Sequence, residues 1–463
     1  MRIGTNVAAI VANNALQKSQ NNLSTSIERL SSGYKINGSK DDAAGCAISE
    51  KMRAQIRGLS QAQNNTADGV SVLNTAEGAI TEIQSMLTRL KELSVQAAND
   101  VNSDDEREAI QKEIEQINNE IDRISDQTEF NTQSLINGNL SRRVYSDLQG
   151  VNQLSVSDSY TAGVYGITVT EDARQAIAVG AGSITMSSTA SITKEQEGTI
   201  NINGYKISIS EGDTLDKVMG KIIDGVNITG GSAFTVKDLN NDTAANGTDY
   251  AGYVPTADYA GSTLVIMTNQ YGSDQKMNIT CDNAELADIL GIPQAATQDG
   301  IYVEGSDVKA EIATGDDGKR IGFADSAILS TKGTVITVTD VNNKEFSMDV
   351  PGNAAGTVFD DSNNDGQSAA GAGTARTISQ EVTDVGTMSI HVGANQDQVI
   401  VIDIPAITTY SLGTEHMNVM TQYTASRAIS TVDEAINKTN KIRSRIGAYE
   451  NRFDHTTNNL DAV

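Results

Sequence analysis

The chain has 463 residues, with 60 acidic against 34 basic and a formal net charge of -26. That is long enough for about three domains and the wrong sign for gripping nucleic acid, which needs clustered Lys and Arg. It has no tryptophan, 4% aromatic residues and 40 glycines, a poor stock for an apolar ligand pocket and better suited to thin, elongated packing. Cys46 and Cys281 fall in segments read as separate domains, so no disulfide or metal framework is expected. No run approaches 18 apolar residues, so no membrane insertion is expected. Ala8–Ala12 is too short an apolar core for a cleaved signal peptide and asparagines follow it, which leaves a cytosolic chain or one exported without such a signal.

Residues 5–32 read as a first helix, with Leu16, Leu23 and Leu30 at heptad steps, Ile27 alongside, and Gly33 as its stop. A polar spoke, 33–41, leads to Asp41 or Asp42, a carboxylate cap for the next helix. In that helix Leu73, Ala76, Ile80, Ile83, Leu87 and Leu90 repeat as 3-4-3-4-3, which keeps one apolar stripe on one face. A helix over 42–99 would be roughly 85 Å long, far beyond the core of a compact domain, and must lie against another long helix. Ser103-Asp104-Asp105-Glu106 is a capping box. A helix restarting there carries Ile110, Ile114, Ile117, Ile121 and Ile124 at 4-3-4-3 spacing and turns back along the first.

At Asn131 the pattern changes to β-branched alternation broken by hairpin dipeptides, Asn137-Gly138, Asn203-Gly204 and Asp317-Gly318. Residues 199–209 read as one hairpin, followed by a short helix capped by Asp213 and carrying Leu215, Val218 and Ile222. Leu264–Met267 is a strand; 335–338 faces 345–348 across Asn342-Asn343; 352–376 reads as loop; and a last hairpin spans Met388 to Ile404. The partner of the first long helix comes from the far end. Ala425, Ile429, Val432 and Ile436 open a second seam, and Ile446, Phe453 and Leu460 continue it. All four prolines lie outside the helical arms, as uninterrupted helices require.

The fold class that follows is multidomain α + β. A long antiparallel α-helical coiled-coil or bundle rod is built from both chain ends, with β-rich domains inserted between them. The expected domains are 1–41, a terminal helix and spoke; 42–180 with 385–463, the rod; 181–298, a β-rich segment with a short helix; and 299–384, a second β-rich segment. No catalytic constellation emerges. His391, His416 and His455 are scattered and form no known metal or triad motif. Asp361–Gly366 matches the first half of a calcium loop, but Ala372 stands where its bidentate acid belongs, and 238–242 is weaker still. Neither a metal nor a cofactor is expected, and Cys46 reads as a small buried hydrophobe.

Several long, ungapped motifs resemble bacterial flagellins. At the start these are Leu30–Gly33, Ile36-Asn37, Lys40–Gly45, Ala47–Ser49, Met52-Arg53, Ala62–Asn65, Asp68-Gly69 and Gln127–Asn131; at the end, Ala428-Ile429, Arg443–Ala448 and Asn451–His455. The resemblance covers about residues 1–145 and 385–463, and 198–272 looks like a small β-rich domain repeated in flagellins and hook-associated proteins. It implies a secreted subunit that polymerises into the extracellular flagellar filament for motility. Implied partners are other flagellin subunits, the flagellar type III export apparatus, hook-associated and cap proteins, and the innate immune sensor Toll-like receptor 5. On the family pattern Arg89, Leu93 and Glu113 align with the receptor-facing surface, and Arg89 and Leu93 stand one turn apart. Tyr34 and Cys46 replace the family's usual leucines. The chain also stops where flagellins ordinarily continue for a further helix. On that basis residues 1–40 are expected to be mobile in a free monomer and the chain to polymerise poorly. A hook–filament junction protein shares the same end motifs, and a flagellin whose insert has become an adhesin or enzyme is a further alternative.

Overall fold

The computed structural model describes residues 7–157, 160–237, 259, 261–292, 300–315, 318–340, 344–352, 354, 359–360, 369–370, 375–383 and 385–461. They divide into two compact units, one made of Met1–Ser71, Ser389–Ile400 and Glu450–Val463 and the other of Val72–Met388 and Val401–Tyr449. The candidate calcium loop at 361–366, the weaker one at 238–242 and the Asn342-Asn343 turn lie outside the described residues.

The first unit opens with α1, Val7–Ser32. It ends where Gly33 turns left-handed at φ +75° and donates its N–H to Arg29 O at 2.9 Å. Asp42, rather than Asp41, caps α2 (Ala43–Ala97), its Oδ1 accepting from Gly45 N–H at 2.9 Å. Asp41 instead accepts the Asn37 N–H, folding the spoke on itself. Further along α2 the buried positions are Ala62, Thr66 and Gly69, spaced four and three. Gly69 is there because a Cβ would stand 3.0 Å from the ring of Phe453, which is fully buried. The 389–400 segment closes over this part of α2: Asn65 Nδ2 donates to His391 O at 3.0 Å, and Ala394 Cβ would lie 3.1 Å from a Cβ on Gly58.

In the second unit the long helices from the two ends of the chain pack together, and the β-rich sheets are inserted between them in sequence. The bundle consists of α2 from residue 72, α3 (Asp104–Gln127) and α7 (Gln422–Asp461) up to residue 449. On α2, Leu73, Ala76, Ile80, Ile83, Leu87 and Leu90 are all completely buried, and the seam runs on through Leu93, Ser94 and Ala97. On α3 the buried set is Arg107, Ile110, Ile114, Asn118, Ile121 and Ser125, so Ile117 and Ile124 are displaced to the rim, half-buried. A strict seven-residue repeat drifts around a straight helix, and here Asn118 and Ser125 take the inward places. A similar offset holds on α7. Ala425, Ala428, Val432, Ala435, Thr439, Ile446 and Tyr449 form the buried line, with Ile429 and Ile436 half-buried on its flank.

The turn between α2 and α3 is built by two devices. Ser103 N–H donates to Glu106 Oε2 at 2.8 Å while Glu106 N–H returns to Ser103 Oγ at 3.4 Å, the expected box. Arg107, 8% exposed, donates to the carbonyls of Ala97 and Asn99, both at 3.1 Å, satisfying the end of α2.

Among the described residues two large hydrophobic cores organise the insert, beside a small cluster of Val179, Phe234, Val265 and Met267. One gathers residues 176–303: a four-stranded sheet ordered Ile301–Glu304, Lys276–Cys281, Gly198–Ile202, Tyr205–Ile209 and a three-stranded sheet of Ile177–Ser183, Ser262–Thr268 and Gly231–Lys237. The 198–209 hairpin turns at Asn203-Gly204, both left-handed (φ 50° and 92°), as an Asn-Gly turn of this class requires. The helix α4, Leu215–Ile228, lies over this core with Leu215, Val218, Met219 and Ile222 buried. Its cap is Thr214, not Asp213, because the Asp213 carboxylate is taken by Lys217, Lys221 and the Ser210 N–H. A short α5, Ala284–Ile289, completes it. The other core joins 144–173 to 308–382 through two four-stranded antiparallel sheets, in which Val335–Thr339 pairs with Glu345–Asp349. Core membership thus changes near 175 and 305, and residues 144–173 pack with the later segment rather than with the helices alone.

Candidate assembly and receptor-facing surfaces

Heptad spacing puts Leu16, Leu23 and Leu30 of α1 on one stripe, with Ile27 beside it. The structure leaves them 60%, 60%, 86% and 58% exposed, and α1 contributes no buried residue. Ile48, Met52 and Ile56 at the start of α2 are also more than half exposed. This is a run of apolar surface larger than scattered single residues would give. The spoke beside it is held by polar links. Ser32 Oγ donates to Asn37 Oδ1 at 2.7 Å, and the Arg53 guanidinium stands 5.5 Å from the centre of the Tyr34 ring. Cys46 is half-exposed rather than buried.

In the bundle, the antiparallel α2–α3 turn brings Arg89 opposite Glu113. Arg89 Nε and Nη2 reach Glu113 Oε1 at 3.0 and 2.8 Å, and Nη1 reaches Glu92 Oε2 at 3.1 Å. The Glu113 hydrogen bond, then that of Glu92, raises the Arg89 pKa above its ordinary value. All three side chains are roughly half exposed, an accessible charged cluster. Leu93 is not part of that surface. It is 1% exposed, because a residue four after Arg89 is also three after Leu90, and the seam claims it.

Sequence reading missed a polar stripe on α3. Gln111 accepts the Val419 N–H at 3.0 Å and donates to Met417 O at 3.1 Å. Asn118 Nδ2 donates to Thr414 O at 2.9 Å. Asp122 takes the N–H and hydroxyl of Thr409 at 2.8 and 2.7 Å, just where α6 (Thr409–Leu412) begins. The signal was there in the spacing of seven and four, but apolar periodicity does not look for amides. Across α2 and α7, Lys91 pairs with Asp433 at 2.6 Å, and Arg443 reaches Gln84 Oε1 at 2.5 Å and Glu77 at 3.4 Å.

His391 and His455 belong to the first unit and His416 to the second; the last lies 3.8 Å from Glu415 on an exposed corner. Among the described residues no group of three or more His, Cys, Asp or Glu is placed to hold a metal ion, and no helix is long and apolar enough to cross a membrane.

Family models for the bacterial flagellin N-terminal and C-terminal helical regions match residues 3–141 and 429–463. A flagellin of Salmonella typhimurium (strain LT2) is 30% identical over 99% of this chain and 88% of its own length. One of Clostridium tyrobutyricum is 39% identical over 45% of this chain and 63% of its own. A solved FliC from Burkholderia pseudomallei aligns over 83% of this chain at 13% identity and a TM-score of 0.24, too low to bear on the fold. The C-terminal match extends to residue 463, so the expected lack of a final helix has no support, and the poor polymerisation reasoned from it lapses.

Proposed function

Given that this chain belongs to the flagellin family and is a structural, non-enzymatic subunit of the extracellular flagellar filament, we propose that it joins neighbouring copies through the apolar stripe of α1 together with Ile48, Met52 and Ile56. One observation carries this reading: a 26-residue helix with a regular apolar face and no buried residue. Most of a helix's stability in a protein comes from packing its apolar face, which α1 lacks within the subunit, so a mobile α1 in the free subunit and an ordered one in the filament belong to the same proposal. On this reading the β-rich cores of the insert project outward, and the same surface of α1 meets hook-associated and cap proteins at the ends of the filament. Export through the flagellar apparatus precedes assembly. Seeding the purified chain with filament fragments and following growth by electron microscopy tests this: filaments should form with the full chain and fail without residues 1–32, and growth unaffected by that deletion would end the proposal.

Recognition by Toll-like receptor 5 is proposed for the Arg89–Glu113 pair. Its support is the resemblance of the sequence to the family pattern together with the exposure of both side chains; Leu93 would act beneath it by holding α2 in place. An Arg89→Asp variant that folds normally should lose receptor signalling, and unchanged signalling would remove the assignment.

A further inference from the structure

We propose that the second unit carries a binding cleft for a neutral oligosaccharide where the α2–α3 turn, the 198–209 hairpin and the start of α7 meet. The cavity is about 480 Å³, within the ~300–1,000 Å³ usual for small-molecule sites. Tyr205, Tyr302 and Tyr423 converge on it from three separate elements. In a chain with 4% aromatic residues and no tryptophan, that is a local concentration of flat apolar rings on a polar background.

A sugar ring has two kinds of surface, a face of C–H bonds and a rim of hydroxyls. Tyrosine offers a flat apolar ring with a polar tip, and the cleft supplies short polar groups beside the rings in Asn278 and Asp104. Tyr302 is about half exposed yet fixed in orientation. Its hydroxyl donates to Glu304 Oε1 at 2.6 Å, and the Lys276 ammonium, paired with Glu304 at 2.8 Å, lies 5.7 Å from the ring centre. A ring already held in place forfeits little freedom on binding. Burial raises the pKa of both the Tyr205 and Tyr423 hydroxyls, so each stays a neutral phenol able to donate and accept.

The charges lining the cleft give no preference for an acidic ligand. Arg107 spends its guanidinium on the α2 carbonyls and on Asp100 and Asp104 at 3.9 and 3.8 Å, and Lys276 is paired with Glu304; Lys206 also lines the space. A phosphate, uronate or sialic acid would find Arg107 and Lys276 already engaged, whereas a neutral sugar needs neither. The cleft shares no residue with the α1 stripe, so carbohydrate binding and polymerisation are separately testable.

The test uses the full chain, lactose and cellotriose as neutral probes, and sialyllactose as the acidic one. Because tryptophan is absent, tyrosine emission reports directly, and saturation-transfer NMR reads the bound sugar. Millimolar binding of at least one neutral probe is expected, weakened roughly tenfold or more by Tyr302→Ala and by less than that by Tyr302→Phe, which keeps the ring but not its bond to Glu304. Circular dichroism confirms the fold of both variants, which change a half-exposed strand residue. Failure of both neutral sugars to bind, binding indifferent to Tyr302→Ala, or sialyllactose binding more tightly than lactose would each overturn the proposal.

Discussion

The double substitution Leu16→Ala with Leu23→Ala separates what α1 does in the monomer from what it does in the polymer. Each leucine is 60% exposed, so most of its hydrophobic stabilisation is still to be gained. Full burial of a leucine contributes about 1.5–3 kcal/mol, and the fraction left in water scales this to about 1–2 kcal/mol for each, or about 2–4 for the pair. At about 1.4 kcal/mol per tenfold change, the critical concentration for filament growth should rise between roughly 30-fold and several hundredfold. The free chain should be indifferent, since neither side chain is buried and alanine is the better helix former. Sedimentation of seeded mixtures across a concentration series gives the first quantity, and calorimetry of the unpolymerised chain gives the second. A critical concentration unmoved by the double change refutes the assembly surface. A melting temperature lowered by several degrees would show instead that α1 packs within its own subunit.

Three further predictions concern the packing of each unit. Phe453→Ala empties a fully buried site beside Gly69 and should cost about 3–5 kcal/mol, read as early melting of the first unit. Asp122→Ala strips Thr409 of two charge-assisted hydrogen bonds and should cost about 2–3 kcal/mol, seen as a lower urea midpoint with unchanged slope. Asp213 is held well below the ordinary carboxylate range, first by its bonds to Lys217 and Lys221 and then by the Ser210 N–H. A depressed folded-state pKa stabilises fully above the unfolded value of about 3.9 and is lost as pH falls below it. Acid titration of Asp213→Asn should therefore show a shallower loss of stability below about pH 4 than the parent chain, and identical curves would show that the cluster contributes nothing.

The helical arms were legible because their physics is local. A spacing of three and four marks a buried stripe wherever it occurs, and every α2 position it named from Leu73 to Leu90 is fully buried. The misplacements have one cause: side-chain size marks Ile117, Ile429 and Ile436 as seam, whereas the buried positions are their neighbours Asn118, Ala428 and Ala435. Leu93 failed for a related reason, since alignment with a family surface says nothing of which side of the helix the seam will claim. The insert was legible at Asn203-Gly204, where turn chemistry decides, and in the pairing of 335–339 with 345–349, where alternation does. Its division was not, because joining 144–173 to 308–382 is a pairing between distant strands that no short-range pattern encodes.

That division bears on how such a chain can keep its ends and vary its middle. The second core is tied to the helices by Lys332 with Glu434 and by Lys441 with Glu345 at 2.9 Å, and by the Tyr410 hydroxyl on Asp349. The first core adds Asn418 Nδ2 on Ile228 O at 2.9 Å. Exposed ion pairs of this kind contribute about 0–1 kcal/mol each. The seam beneath them buries large apolar side chains from three helices, from Leu73 to Leu93 on α2, Ile110, Ile114 and Ile121 on α3, and Val432, Ile446 and Tyr449 on α7, each contributing about 1.5–3 kcal/mol. The helices therefore do not depend on the insert for their packing. Each β-rich segment brings its own core and meets the bundle through a few polar links, so a change in one sheet is not transmitted as lost stability in the arms. A subunit that can keep its helices while its inserted segments change follows from that difference in magnitude.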